Sequence, residues 1–256
     1  MSKEAAELLL DPTDKQNAPK AISLIQHLSM LKDLPPPPNP TYAHDRKTIV
    51  FFSEVLGYFV VPFIDVEMDL SEQVRSLSTY AHLLTALQIK HGSACFTGAL
   101  YADSQSIIKN LIFVIARLKV INPDLKFYII HDVPDNEGTD RLELVFSDCR
   151  TLDHASNFDV EQLAEKLSLA ALINAVFERN PDLDRGHRRL SLKGALGIDR
   201  VNPWSWEGNI RVGDVDLDLQ WEGGCIAANQ VLQRFFDDSA VMDFVKLFSD
   251  PECDTL

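Results

Sequence analysis

The sequence is short of the residues that build several specialised folds. Four cysteines in 256 residues, Cys95, Cys149, Cys225 and Cys253, stand far apart and form no C-x-x-C pair. Neither a disulfide framework nor a cysteine zinc site is therefore expected. Glycine and proline number only 11 and 13, which excludes collagen-like and low-complexity chains. Basic residues are in deficit: 24 Lys plus Arg against 38 Asp plus Glu leave a net charge of −14. A protein that grips a nucleic-acid backbone unaided needs clustered cations, and this balance argues against one. Long apolar runs are missing too. Val55–Ile64 contains Gly57, Tyr58 and Pro62 and falls well short of the ~20 residues that a bilayer demands, so it reads as a buried core segment. Met1–Leu10 lacks the pattern of a secretory signal. An intracellular chain that does not span a membrane is expected. The adjacent glycines Gly223 and Gly224 lack the frame of a phosphate-binding loop, and no G-x-S-x-G serine elbow occurs.

What remains is 46% apolar and 24% charged, the composition of a globular protein with a sizeable core. The periodicity is mostly helical. Asp11-Pro12-Thr13 resembles a helix start, and Ile22, Leu24, Ile25, Leu28 and Leu31 recur at helical spacing. Residues 35–40, Pro-Pro-Pro-Pro-Asn-Pro, break that helix and predict a stiff, extended linker. Thr41–Val61 is helical and apolar on nearly every side, which predicts burial on every side. Ser71 and Glu72 open the next helix, with Val74, Leu77, Ala81, Leu84 and Leu87 on its apolar face and Gly92 at its end. A further helix spans about Ala99–Val120, and Asn122-Pro123 stops it. Phe127–Ile130 is the strand candidate. Helices are then expected over Asp140–Arg150 and Asp159–Glu178, the latter with Val160, Leu163, Leu167, Leu172, Val176 and Phe177 as its core face. The expected fold class is mainly α, a multi-helix domain with one or a few short strands. Three regions follow: helical 1–126 with the proline linker, 127–178 with a strand and helices, and 179–256 with a basic loop and acidic helices.

Charge is uneven along the chain. Residues 183–211 hold Arg185, Arg188, Arg189, Lys193, Arg200 and Arg211 against Asp184, Asp199 and Glu207, a net +3. The flanks are acidic. The arginines at 185, 188 and 189 could meet a phosphate backbone or pair with the chain's own carboxylates. Asp214, Asp216 and Asp218 begin like a calcium loop, but Leu219 and Cys225 occupy the sixth and twelfth positions where Gly and Glu are required. That site is rejected, and the alternation fits either a strand or a helix start. His131-Asp132 could serve as a general base or lie in a solvated turn.

Gly138-Thr139-Asp140-Arg141-Leu142-Glu143 is the most informative stretch. Asp140 and Glu143, three residues apart at a helix start, fit a capping box. They would also place two carboxylates on one side of a helix N-terminus, a suitable part of a divalent-metal site. Phe146 and Arg150 continue that face.

The run Asp140-Arg141-Leu142-Glu143, Phe146, Arg150-Thr151 resembles the C-terminal catalytic helix of P-element-type, RNase H-like DDE transposases. The chain is also similar to transposon-derived proteins abundant in mushroom-forming fungi. The matching stretches are Leu10–Gln16, Ala99–Ile107, Ile121–Pro123, Asp184–Leu190 and Val201–Trp206. The resemblance implies that Glu143 matches the catalytic glutamate and Asp140 its companion acid, together holding Mg²⁺ or Mn²⁺. It further implies a fragment of an RNase H-like fold with a helical insertion, DNA as partner and a nuclear location. Two departures stand out. The strands that carry the family's other two aspartates have no counterpart here, and Asp65, Glu67 and Asp69 follow the wrong neighbours to replace them. The approach to Gly138, Asp132–Glu137, is longer than the family pattern. A truncated transposase, inactive alone, is the expectation. A non-catalytic helical protein-interaction domain is the alternative, with a partner protein or self-association.

Overall fold

Several helices in this chain start where a short polar side chain accepts from the first free N–H groups, and two stop at a glycine or an asparagine. The computed structural model describes residues 3–11, 18–129, 159–180, 205–236 and 241–249. Helix accounts for 80% of these, and none lies in a strand. Two compact units divide the chain: residues 1–129 together with 202–256, and residues 130–201.

In the first unit, α1 spans Lys3–Leu10 and α2 spans Ala18–Ser29. A 3-10 turn, Met30–Asp33, leads from α2 into the proline linker. Arg46 holds that linker by donating to the carbonyls of Leu34 and Pro35 at 3.2 and 2.8 Å. Helix α3, Pro40–Ile64, opens with Asn39, whose side chain accepts from Thr41 N, and with Pro40 as its first residue, where a missing N–H costs nothing. Helix α4, Leu70–His91, begins at Asp69 rather than at Ser71: Asp69 Oδ1 accepts from Glu72 N at 2.7 Å, and Glu72 Oε2 accepts from Asp69 N at 3.2 Å. Gly92 ends α4 with φ +55°, in the left-handed range that glycine enters without a steric penalty. Helix α5, Gly98–Ile121, is capped by Thr97 and closes at Asn122.

Packing overturns the expectation of all-round burial for α3 and extends the burial expected of α4. The strongly apolar α3 is only partly covered: Val50, Phe51, Ser53, Val55 and Pro62 are buried, while Ile49 and Val61 are exposed. Within Val55–Ile64 only Val55 and Pro62 are buried. By length and composition α3 could cross a membrane, at a mean hydropathy of 1.6, a test that core helices of soluble proteins also pass. The more polar α4 is the buried centre. Its run from Ser76 to Leu87 is buried at every position, against α3, α5 and the later helix Leu217–Phe235. Ser and Thr are small, and their hydroxyls satisfy themselves locally. Thr79 Oγ1 donates to Arg75 O at 2.8 Å and Thr85 Oγ1 to Ala81 O at 3.0 Å, while Ser76 Oγ donates to Tyr58 O at 2.8 Å. A buried hydroxyl with a partner avoids the desolvation cost of an orphaned one. The predicted apolar stripe of Val74, Leu77, Ala81, Leu84 and Leu87 is buried, and the opposite face is buried with it.

The strand expected at Phe127–Ile130 is not formed over its described residues. One antiparallel bridge joins Lys126 to Arg211. It is held by Phe127 N donating to Ile210 O at 2.9 Å and Val212 N donating to Leu125 O at 3.0 Å. The pairing ends there because Val212–Asp214 turns into a 3-10 helix. The segment around 207–215 nevertheless laces the unit together: Leu70 N donates to Asn209 O at 2.9 Å and Gly213 N to Pro123 O at 2.9 Å.

In the second unit, α6 covers Val160–Arg179. Its predicted core face is corrected. Val160, Leu167, Leu172 and Val176 are exposed, whereas Lys166 and Ala170 are buried. At about 100° per residue, Leu172 and Val176 point well away from Val160, Leu163 and Leu167, so no single face could contain them all. Returning to the first unit, α7 spans Leu217–Phe235 and α8 spans Phe244–Ser249. The alternating acids resolve as a helix start, since Asp216 caps α7 by accepting from Leu219 N at 3.0 Å. Asn229 ties the segment before α8 to α7 through two hydrogen bonds with Met242, at 3.0 and 2.9 Å.

Helices α4 and α7 meet closely at Gly224, where an added Cβ would lie 2.2 Å from Ser78 Oγ and 2.8 Å from the Thr79 backbone nitrogen. Gly224→Ala is expected to destabilise the protein by about 1–3 kcal/mol, as overpacking does. Gly57 in α3 has open space around it, so Gly57→Ala should stabilise by about 0.5–1 kcal/mol through helix propensity. Urea denaturation of both variants checks the pair; equal effects would refute the close approach.

Candidate functional site

The catalytic pair expected from sequence, Asp140 and Glu143, lies outside the described residues, as do Phe146, Arg150, His131, Asp132 and the arginines Arg185, Arg188 and Arg189. Other acids singled out by sequence are described, and each serves the backbone. Asp65 Oδ1 accepts from Glu67 N at 3.1 Å at the end of α3. Asp69 caps α4 and Asp216 caps α7. Among the described residues no group of three or more His, Cys, Asp or Glu side chains is placed to hold a metal ion.

The described part of the first unit instead builds an aromatic cleft. Heptad spacing on α3 aligns His44, Lys47, Thr48, Phe51 and Phe52 on one face. Leu87 and His91 approach from the last turns of α4, and Phe235 and Phe236 from the end of α7. The Phe51 ring centroid lies 5.2 Å from that of Phe235 and 5.1 Å from that of Phe236, and Phe52 lies 6.1 Å from Phe96. These separations suit tilted and edge-to-face pairs, which add to the stabilisation from burial. Glu54 and Arg234 pair at 2.5 Å and clamp α3 to the end of α7. The space enclosed is about 420 Å³. A smaller cavity of about 260 Å³, which Lys90, Leu232 and Met242 help to line, shares Leu87 and Phe236 as a wall. Lys90 Nζ sits 4.9 Å from the Phe236 ring centroid, within cation–π range. Sequence reasoning found none of this cleft, because its walls are three segments far apart in the chain.

Titratable groups inside the unit are tuned by burial. His82, on the buried α4, lies against the rings of Trp221 and Phe244 with centroids at 4.9 and 4.8 Å. The Ser78 carbonyl, 2.7 Å from Nδ1, assigns a proton to that nitrogen. Burial pushes the His82 pKa down, opposed by the bond to Ser78. Burial pushes the Cys95 and Cys225 thiols up, which keeps them from the reactive thiolate form. The depressed His82 pKa has a defined consequence for stability. Above about pH 6.5 both folded and unfolded chains hold a neutral imidazole. Below it the unfolded chain takes up a proton that the fold resists, so stability falls with pH. Urea titrations between about pH 7.5 and 5.5, the range of histidine titration, should show a steeper loss for the native chain than for His82→Gln. Equal slopes would remove His82 from the acid response.

No protein-family model matches the sequence, and no curated protein or solved structure is significantly similar to it.

Proposed function

We propose that the chain is a transposase-derived protein, related to the C-terminal part of P-element-type DDE transposases, and that it does not cleave or join DNA by itself. The observation that carries this reading is the ordered series of matching stretches from Leu10 to Trp206, with Asp140-x-x-Glu143 in its expected place within the series. Two-metal catalysis requires carboxylates converging on two ions ~4 Å apart. Glu143 and its companion Asp140 supply too few ligands for such a pair, and a partner would have to bring the remaining aspartates for Mg²⁺ or Mn²⁺ to be held productively. On this proposal the +3 segment bearing Arg185, Arg188 and Arg189 is the place where nucleic acid would be touched, and the protein would act in the nucleus.

A second reading, a non-catalytic helical interaction domain, is favoured by a specific parallel. Two other pairs with the spacing of Asp140 and Glu143 are both helix caps. Asp69 and Glu72 exchange two backbone bonds at the start of α4. Asp159 and Gln162 do the same at the start of α6, at 2.9 and 3.2 Å.

Duplex DNA incubated with the purified chain and Mg²⁺ or Mn²⁺ is expected to stay intact. Robust cleavage abolished by Glu143→Ala would overturn the proposal. Circular dichroism melts separate the two roles of the acids. A loss of about 1 kcal/mol in Asp140→Ala marks a cap, whereas unchanged stability with weakened Mn²⁺ binding marks a metal ligand.

A further inference from the structure

We infer that the aromatic cleft of the first unit binds a small amphipathic anion, of the class of fatty and arylalkyl carboxylates, with its apolar body on the phenylalanines and its head at the outer end of the cleft. The cleft's volume of about 420 Å³ lies in the range of ~300–1,000 Å³ typical of small-molecule sites. Its composition is that of such a site as well: a largely apolar lining with a few polar groups. Phe51 is buried, 4% exposed, while Phe236 is 44% exposed and accessible from outside the cleft.

Charge complementarity selects the ligand. The chain carries 38 acids against 24 bases, yet among the described residues no carboxylate lines this cleft. The described polar residues that line it are His44, Lys47 and Thr48 on α3 and His91 at the end of α4. Lys47 makes no ion pair among the described residues, and the residue is exposed. An ammonium can meet a carboxylate through a charge-assisted hydrogen bond, while the stem of the lysine covers apolar surface. A neutral apolar ligand would gain the floor but not the rim. A highly charged ligand would gain the rim but leave the phenylalanines unused.

Isothermal titration calorimetry of the full chain with sodium decanoate, kept below its micellar concentration, tests the assignment. Saturable binding of one decanoate per chain is expected, with 1-decanol binding at least about tenfold more weakly, the size of one charged contact. Lys47→Glu should lower decanoate affinity by about tenfold or more, for the same reason, and leave decanol binding unchanged. Phe236→Ala should weaken both ligands. Lys47 is exposed, and the melting temperature of Lys47→Glu is expected to match that of the native chain. Phe236→Ala gives up the ring pair with Phe51 and is expected to melt lower, with an unchanged helical circular dichroism spectrum verifying that it folds. No heat of binding in the millimolar range, or equal affinity for decanol and decanoate with no effect of Lys47→Glu, would overturn the proposal. So would capture by anionic phosphatidylglycerol vesicles that decanoate does not displace, because the cleft would then face a membrane surface rather than a free ligand.

Discussion

The contact between α4 and α7 at Gly224 is the constraint on which the first unit depends. The absence of a side chain there lets the backbone of α7 rest on Ser78 and Thr79. Ser78 Oγ then donates to the Trp221 carbonyl at 2.8 Å, and Arg75 Nε donates to Gln220 Oε1 at 2.8 Å. These bonds cross more than 140 positions of sequence, so their formation brings the far part of the chain onto the centre of the near part. The ring of Trp221 and the ring of Phe244 close over His82 only because that approach is so near. Loss of the close approach would expose a histidine, two aromatic rings and several hydroxyl-bearing turns together.

Small polar residues make this centre possible. A helix of large apolar side chains would hold its neighbours about 8–10 Å away from its axis, whereas serines and threonines allow closer packing and still find partners. Gln105 reinforces the pattern from α5, donating to Ala81 O at 2.9 Å and Thr85 Oγ1 at 3.1 Å. Each such bond contributes about 1 kcal/mol net. Its larger effect is to specify which faces meet, because a misaligned neighbour would leave buried hydroxyls unsatisfied. The apolar α3, by contrast, contributes area without specifying position, and part of its surface is left open.

That open surface is where the aromatic cleft forms. The clamp between Glu54 and Arg234 fixes the end of α7 against α3, and the consecutive Phe235 and Phe236 then face Phe51 from across the gap. The cleft therefore follows from the same packing that buries α4: the end of α7 is carried to α3 by the contact at Gly224. Several described acids along the chain do backbone work. Asp69, Asp159 and Asp216 all accept from N–H groups in the first turn of a helix, where the helix dipole favours negative charge.

Local chemistry was legible in the amino-acid sequence alone. The helical periodicity, the stop at Asn122, the glycine at position 92 and the helix break at the proline run all follow from backbone sterics that act within a few residues. The mainly helical class follows from them. Tertiary structure decided what periodicity could not see. Ser and Thr on α4 lie outside the apolar face that periodicity marks, yet they are buried at the centre, because a hydroxyl bonded to the preceding turn behaves as a small buried group. Phe127–Ile130 reads as a strand by composition, but among its described residues no strand forms, and the neighbouring Lys126 makes a single bridge to Arg211 before the partner segment turns away. The cleft of His44, Lys47, Phe51, Phe52 and Phe236 carries no sequence signature, because it is assembled from three segments that only long-range packing brings together.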